Sequence, residues 1–309
     1  MFHALISKRT LGRLLRVTGI DALLVRVVNG KRPSIIVYHD PNPLMFKEIL
    51  AYIQRHYSIV SIDRLVKSLR SGQLKSLPSR AIAITLDDGH NGNFALAAIL
   101  KGIDAETTIY LCSQIAGTER GFWWSALDDP EPLKLISNNA RLAALRDLGF
   151  YEDHDMGSEH RQALSKHEIR IMSEFVDFGA HTRFHPILPM CDELTARAEI
   201  DLAVSEVEEL SGQPCQHFAY PNGDVSERDR VLVQESGYES ARTVNPGWVR
   251  PSTDSFMLPI VSMDEVVVDR LVVDLSGIGV LKRSVVSWIR RSRKRKGSQG
   301  RSWWMRSGD

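Results

Sequence analysis

Short apolar runs alternate along this chain with longer stretches of helical periodicity, and each run ends in a polar cluster. The runs are Ser34-Ile-Ile-Val-Tyr38, Ala81-Ile-Ala-Ile-Thr85, residues 106–112, Val176-Asp-Phe-Gly-Ala180 and residues 216–220. Between them, residues 43–55, 61–70, 94–101, 165–175, 192–211 and 226–236 have helical spacing. Ser165 and Glu168 stand three apart, as a capping box requires. Runs this short and this apolar suit strands covered on both faces, and the alternation with helices gives an α/β chain with a parallel sheet or barrel. The clusters are His39-Asp40, Asp87-Asp88, His181 to His185 and Pro221-Asn222-Gly223. In α/β architectures the C-terminal ends of strands converge on one site, so four clusters in that position point to an enzyme.

Charge divides the 309 residues into three parts. Residues 1–32 carry seven Lys/Arg against one acid, and residues 282–309 carry ten against one. The body between them has 22 bases against 36 acids. We therefore read 1–33 as an amphipathic helical segment, 34–281 as the folded domain and 282–309 as a basic tail. An acidic body is a poor partner for nucleic acid, whereas basic ends suit an anionic membrane surface. Trp303-Trp304, the amphipathic stretch 280–289 and the basic run 290–296 fit such an anchor; a frayed tail is the plainer alternative. Lys8, Arg9, Arg13 and Arg16 interrupt the start of the chain, leaving no secretory apolar core and no spanning segment. The expected location is cytoplasmic, peripheral to the inner face of the membrane. Three cysteines without a CxxC pair read as small core hydrophobes.

Asp87-Asp88-Gly89 alone reads as a turn, since Asp and Gly are common turn residues. At the mouth of a buried strand a second reading opens: one carboxylate toward a metal, the other toward its water. His181 and His185, four apart, face the same way on one helical turn or tight loop. With Asp88 they make a three-ligand site that leaves a position for water, the stoichiometry of a catalytic zinc site. Asp87 then stands as the base that takes the proton of that water. The donor set accepts cobalt or nickel as readily as zinc.

Thr85-Leu-Asp-Asp-Gly89 resembles the T-F-D-D-G motif of the polysaccharide deacetylases, the NodB-homology group of carbohydrate esterase family 4. Gly179-Ala-His-Thr-Arg-Phe-His185-Pro resembles their H-[ST]-x-x-H-P motif, and Phe218-Ala-Tyr-Pro-Asn-Gly223 their third motif in its Y-P-x-G form. Ser34 to His39 resembles the first strand of the bacterial exopolysaccharide-type members. The resemblance implies a distorted (β/α) barrel, preceded here by N-terminal helices, that removes N-acetyl groups from an amino sugar or acetamido-glycan by metal-activated water. Carried over by position, Asp87 is the general base, and Asp88, His181 and His185 hold a divalent metal, usually zinc. The Asn222 N–H contributes to the oxyanion site, while Tyr220, Pro221 and Trp248 line the sugar groove. A lipid-linked or nucleotide-linked sugar is the substrate expected of a cytoplasmic member.

The chain departs from the family twice. The third motif often carries an arginine where this chain has Ala219, leaving Arg183 or Arg242 to orient the base. The late histidine that serves as acid is absent, since none follows His217; His39 is a candidate by position, equally readable as a histidine hydrogen-bonded beneath the site, and water could also protonate the leaving amine. A deformylase or O-deacetylase would use the same chemistry, and a catalytically weak glycan-binding protein is the reading from another class. Residues 117–164 form an irregular insertion. Its Phe122-Trp123-Trp124 reads either as a glycan platform or as packing against the barrel. His154, His160 and His167 share no single face and read as solvated.

Overall fold

The computed structural model describes residues 7–29, 32–103 and 107–277. The amphipathic stretch 280–289, the basic run 290–296, Trp303-Trp304 and the whole tail 282–309 lie outside the described residues. The strands are β1 (Ser34–Tyr38), β2 (Ser58–Ile59), β3 (Ala81–Leu86), β4 (Thr107–Leu111), β5 (Val176–Ala180), β6 (His217–Ala219), β7 (Ser240–Pro246), β8 (Leu258–Ile260) and β9 (Ser262–Met263). The α-helices are α1 (Lys8–Val17), α2 (Ile20–Asn29), α3 (Pro43–His56), α4 (Ile62–Arg70), α5 (Ala97–Leu100), α6 (Asn138–Asp147), α7 (Lys166–Met172), α8 (Glu193–Ser211), α9 (Glu227–Glu235) and α10 (Val268–Leu275). Serine, asparagine or aspartate caps seven of them, and the Ser165–Glu168 capping box forms as its spacing predicts.

All strand pairs are parallel, in the order β8-β7-β6-β5-β4-β3-β1-β9, with β2 beside β3. The two ends of that order are one stretch of chain. Leu258 and Ile260 pair with Arg242 and Pro246, whereas Ser262 and Met263 pair with Ile36 and Val37. Val261 between them donates its N–H to Ile35 O at 2.8 Å. The sheet therefore closes on itself as the distorted (β/α) barrel expected from the motifs. β1, β3 and β4 are buried along their whole length, as parallel strands covered on both faces must be.

Helix α4 seals the N-terminal end of the barrel. Its Ile62, Leu65, Val66 and Leu69 pack with Ile35, Val37, Ala83, Leu258 and Ile260, and Arg70 reaches Glu239 just before β7. Only the C-terminal mouth is left for chemistry. Residues 94–101 do not form the continuous helix expected: Asn91–Leu96 is a 3-10 turn, and only Ala97–Leu100 is α-helical. The cause is Asn93, fully buried, whose amide donates to His39 O at 2.8 Å and pins the segment to the β1 loop.

The N-terminal helices lie on the barrel through α10. Lys8 reaches Glu265 and Asp274, and Arg16 reaches Asp269. Gly12 is the point of closest approach; a Cβ there would stand 1.5 Å from the Asp269 carbonyl oxygen. Gly12→Leu is therefore expected to push α1 off α10 and cost about 1–3 kcal/mol, measured by urea unfolding. An unchanged midpoint would mean that this contact carries no stability.

Candidate active site

Three side chains converge at the barrel mouth, Asp88 and His181 buried and His185 largely so. Asp88 leaves β3, His181 leaves β5, and His185 sits four residues further along the same loop. The His181 Nδ1–H donates to Ala219 O at 2.7 Å; a carbonyl can only accept, so the Nε2 lone pair is turned to the mouth. That Nε2 lies 3.5 Å from Asp88 Oδ1, and His185 Nε2 lies 3.5 Å from the same oxygen. The three donor atoms fall within 4.8 Å of one another, and His185 Nδ1 is buried without a hydrogen-bond partner.

The charge states follow from the surroundings. Burial, with His181 alongside, lowers His185 to about 3, and burial also lowers His181. Burial alone would raise Asp88, but a hydrogen bond from His90 at 3.1 Å and the nearby His185, His181 and His39 hold it below the usual carboxylate range. At neutral pH the cluster is two neutral imidazoles and one carboxylate, converging with no hydrogen bond among them. A dication fits that donor set, since it needs deprotonated ligands. His90, which holds the second Asp88 oxygen, had no sequence signal beyond its place after Gly89.

Asp87 stands beside this cluster, with Oδ2 4.0 Å from His181 Nε2. The fully buried Arg242 guanidinium donates to both of its oxygens. Arg183, the other arginine considered for this task, instead pairs with Glu206 at 2.9 Å. Arg242 on β7 is the register partner of Ala219 on β6. The cation missing from position 219 is thus supplied from the next strand, directly opposite.

His39 follows β1 and meets a partner from the far end of the chain. Asp264 accepts the His39 backbone N–H at 2.9 Å and lies 2.7 Å from Nδ1. Burial would depress His39, but the Asp264 hydrogen bond and the carboxylates Asp88 and Asp87 raise it to about 9. The ring is therefore an imidazolium at neutral pH.

The loops carrying these groups are tightly held. Thr182 Oγ1 accepts the His185 N–H at 3.0 Å, and Glu199 of α8 accepts the N–H groups of Arg183 and Phe184. Six non-glycine residues among those described have a positive φ; five are Asp88, Thr182, His185, Asn222 and Asp264. Left-handed backbone costs a non-glycine residue free energy, and here it gathers at one end of one barrel.

The insertion forms one wall of the site. Phe122 and Trp123 are buried, the Trp123 indole donates to His185 O at 2.9 Å, and Trp124 sets its ring edge-on to the His185 ring at 4.5 Å. Packing, rather than an open platform, is the arrangement found. His154, His160 and His167 lie on the exposed surface. Pro221 and Asn222 form a 3-10 turn after β6, closed by the N–H groups of Gly223 and Asp224; the Asn222 N–H takes no part in those bonds. Lys134 of the insertion reaches Asn222 Oδ1 at 3.3 Å. Two expected groove residues are corrected. Tyr220 is buried with its hydroxyl donating to Phe256 O, because its side chain packs beside Phe218 in the layer between the sheet and its helices. Trp248 is buried under Arg32, which precedes β1, and so lies at the opposite end of that strand from His39.

Barrel and site together define an α/β-barrel hydrolase with its carboxylate and imidazole groups gathered at one mouth. The polysaccharide deacetylase family profile matches residues 75–241, more than half of the chain. The chain belongs to the polysaccharide deacetylase family and is a carbohydrate deacetylase of that family. Among solved structures it is similar to the deacetylase PplD of Streptococcus pyogenes, with 17% identity and a TM-score of 0.59 over 79% of this chain and 98% of that one. It is also similar to IcaB from Ammonifex degensii, with 15% identity and a TM-score of 0.60 over 80% and 98% of the two chains. The deacetylase domain of BpsB from Bordetella bronchiseptica matches at 13% identity and a TM-score of 0.53, over 75% and 96%. At these identities the likeness is one of fold. No curated protein matches by sequence. The matched region contains Asp87, Asp88, His181 and His185 but stops one residue short of Arg242 and excludes His39 and Asp264.

Proposed function

We propose that this chain removes N-acetyl groups from an amino-sugar residue of a glycan, with Asp88, His181 and His185 holding a divalent metal of the zinc, cobalt or nickel type. The observation that carries this reading is the convergence of two neutral imidazoles and one carboxylate beside a carboxylate fixed by arginine. When bound, such a metal polarises the acetyl carbonyl and acidifies water. Asp87, oriented by Arg242, accepts a proton from the attacking water. The water oxygen forms the new bond to the acetyl carbon, and the carbon–nitrogen bond breaks. His39, charged and aligned by Asp264, gives its proton to the departing amine, leaving acetate and a free amino sugar. The Asn222 N–H, outside its own turn's bonds, is available to the oxyanion. With the base's arginine partner and the acid both supplied from new positions, the two departures from the family pattern give no reason to prefer a glycan-binding protein without catalysis.

The test is elemental analysis of the purified protein alongside acetate release from N-acetylated oligosaccharides. About one equivalent of metal is expected in the wild type, with both metal and acetate release lost in His181→Ala. A wild type that holds no metal after zinc is offered would overturn the reading.

The acid gives a separate pH signature. A raised folded-state value means that His39 is protonated, hence able to donate, below about 9 and fails above it. A nearby dication pulls this value down, so the alkaline limb of kcat is expected at or below 9 in the loaded enzyme. Asp264→Asn removes the main raising contact and should move that limb lower, with little change in metal content. An unmoved limb would assign the donated proton to another group.

A further inference from the structure

The joint between α1 and α2 carries the largest apolar exposure on the N-terminal helices, and its charges are unevenly employed. Leu14 (52%), Val17 (81%), Ile20 (45%) and Leu23 (60%) stand open to solvent around Thr18-Gly19. Of the four cations on α1, Lys8 and Arg16 are spent on acids of the α10 side and hold the helix to the barrel. Arg9 and Arg13 have no acid partner among the described residues, nor do Arg26 on α2 and Arg55 on α3. α1 contains no acid at all. Arg9, Arg13 and Val17 line one cleft together with Met45 and Arg55 of α3. Leu23 and Arg26, three apart, share a face of α2, as Arg13 and Val17, four apart, do on α1.

Unpaired arginines four apart repel each other on a helix, and an exposed apolar ridge costs free energy in water. Both costs vanish against one kind of surface, apolar at depth and anionic at its boundary. We infer that the α1–α2 joint is a docking surface for an anionic lipid bilayer, with Leu14, Val17, Ile20 and Leu23 entering the boundary region and Arg9, Arg13, Arg26 and Arg55 meeting the lipid phosphates. No described helix is long and apolar enough to cross a membrane, so the attachment is one of surface contact. The inference stands on packing and charge, and holds whatever glycan the mouth accepts.

Sedimentation of the full chain with phosphatidylcholine vesicles, with and without about 30% phosphatidylglycerol, tests it. Binding is expected only to the anionic vesicles, and it should fall in high salt. The pair Val17→Asp and Leu23→Asp, and separately the pair Arg9→Glu and Arg13→Glu, should each weaken it about tenfold or more. Both pairs are exposed, so circular dichroism and metal content should match the wild type. Absence of binding, or binding that neither pair weakens, would overturn the proposal. Weakening by the arginine pair alone would remove the ridge from it. A concentration-dependent mass abolished by the Val17 and Leu23 pair, without vesicle binding, would assign the ridge to a second copy of this chain.

Discussion

Asp87→Asn should lower kcat by about 10²–10⁴-fold while leaving the metal content of the protein near that of the wild type, because Asp87 touches the cluster but is not one of its three converging donors. The substitution also removes the negative half of a buried ion pair. Arg242 is fully buried, and a guanidinium left there without its carboxylate costs about 3–5 kcal/mol. The expected result is thus a folded but less stable protein, with a lowered melting temperature, that binds metal and does not hydrolyse. Asparagine keeps an acceptor oxygen for Arg242, so the loss should fall at the lower end of that range. Hydrolysis surviving in this variant would move the base to another group.

Arg242→Ala is the second large effect, and it carries its own rescue. Without the guanidinium, Asp87 is an unpaired carboxylate in the barrel, so both stability and kcat should fall, stability by about 3–5 kcal/mol. Because Ala219 and Arg242 are register partners on adjacent strands, Arg242→Ala empties space directly beside position 219. Combining it with Ala219→Arg should recover at least about tenfold of the lost kcat. A double variant no better than Arg242→Ala would show that the two positions are not equivalent seats for one cation. KM should move less than kcat in both variants, since the guanidinium is fully buried and bound to Asp87, the proposed base.

The parts of the molecule legible in its sequence are those with local causes. β1, β3, β4, β5 and β6 announce themselves as apolar runs, and Asp87, Asp88, His181 and His185 by their place after such runs. β7 was hidden because it contains Arg242, which looks solvent-seeking until Asp87, 155 residues away, is seen to neutralise it. β8 was hidden because Pro259 argues against a strand interior, although Leu258 and Ile260 on either side pair with β7. Asp264 had no signal at all, since its meaning lies in a histidine 225 residues earlier. Trp248 was misplaced by the same limit: aromatic character marks it equally for a sugar wall or a core, and only the path of the chain after β7 decides. Local chemistry was readable; the groups joined by barrel closure were not.

The bond between the two ends of the barrel also fixes when the site becomes complete during synthesis. Asp87, Asp88, His181 and His185 have all been made once residue 185 leaves the ribosome, yet Asp264 follows 79 residues after His185. Until the 258–263 segment emerges, the edges of β1 and β7 lack their shared neighbour and His39 lacks its counter-charge. A nascent or prematurely terminated chain would carry the metal-type cluster with an imidazole lacking the hydrogen-bonded carboxylate that most strongly favours its protonation. In the proposed reaction, proton donation to the departing amine is therefore acquired last, with the strand that turns an open sheet into a barrel.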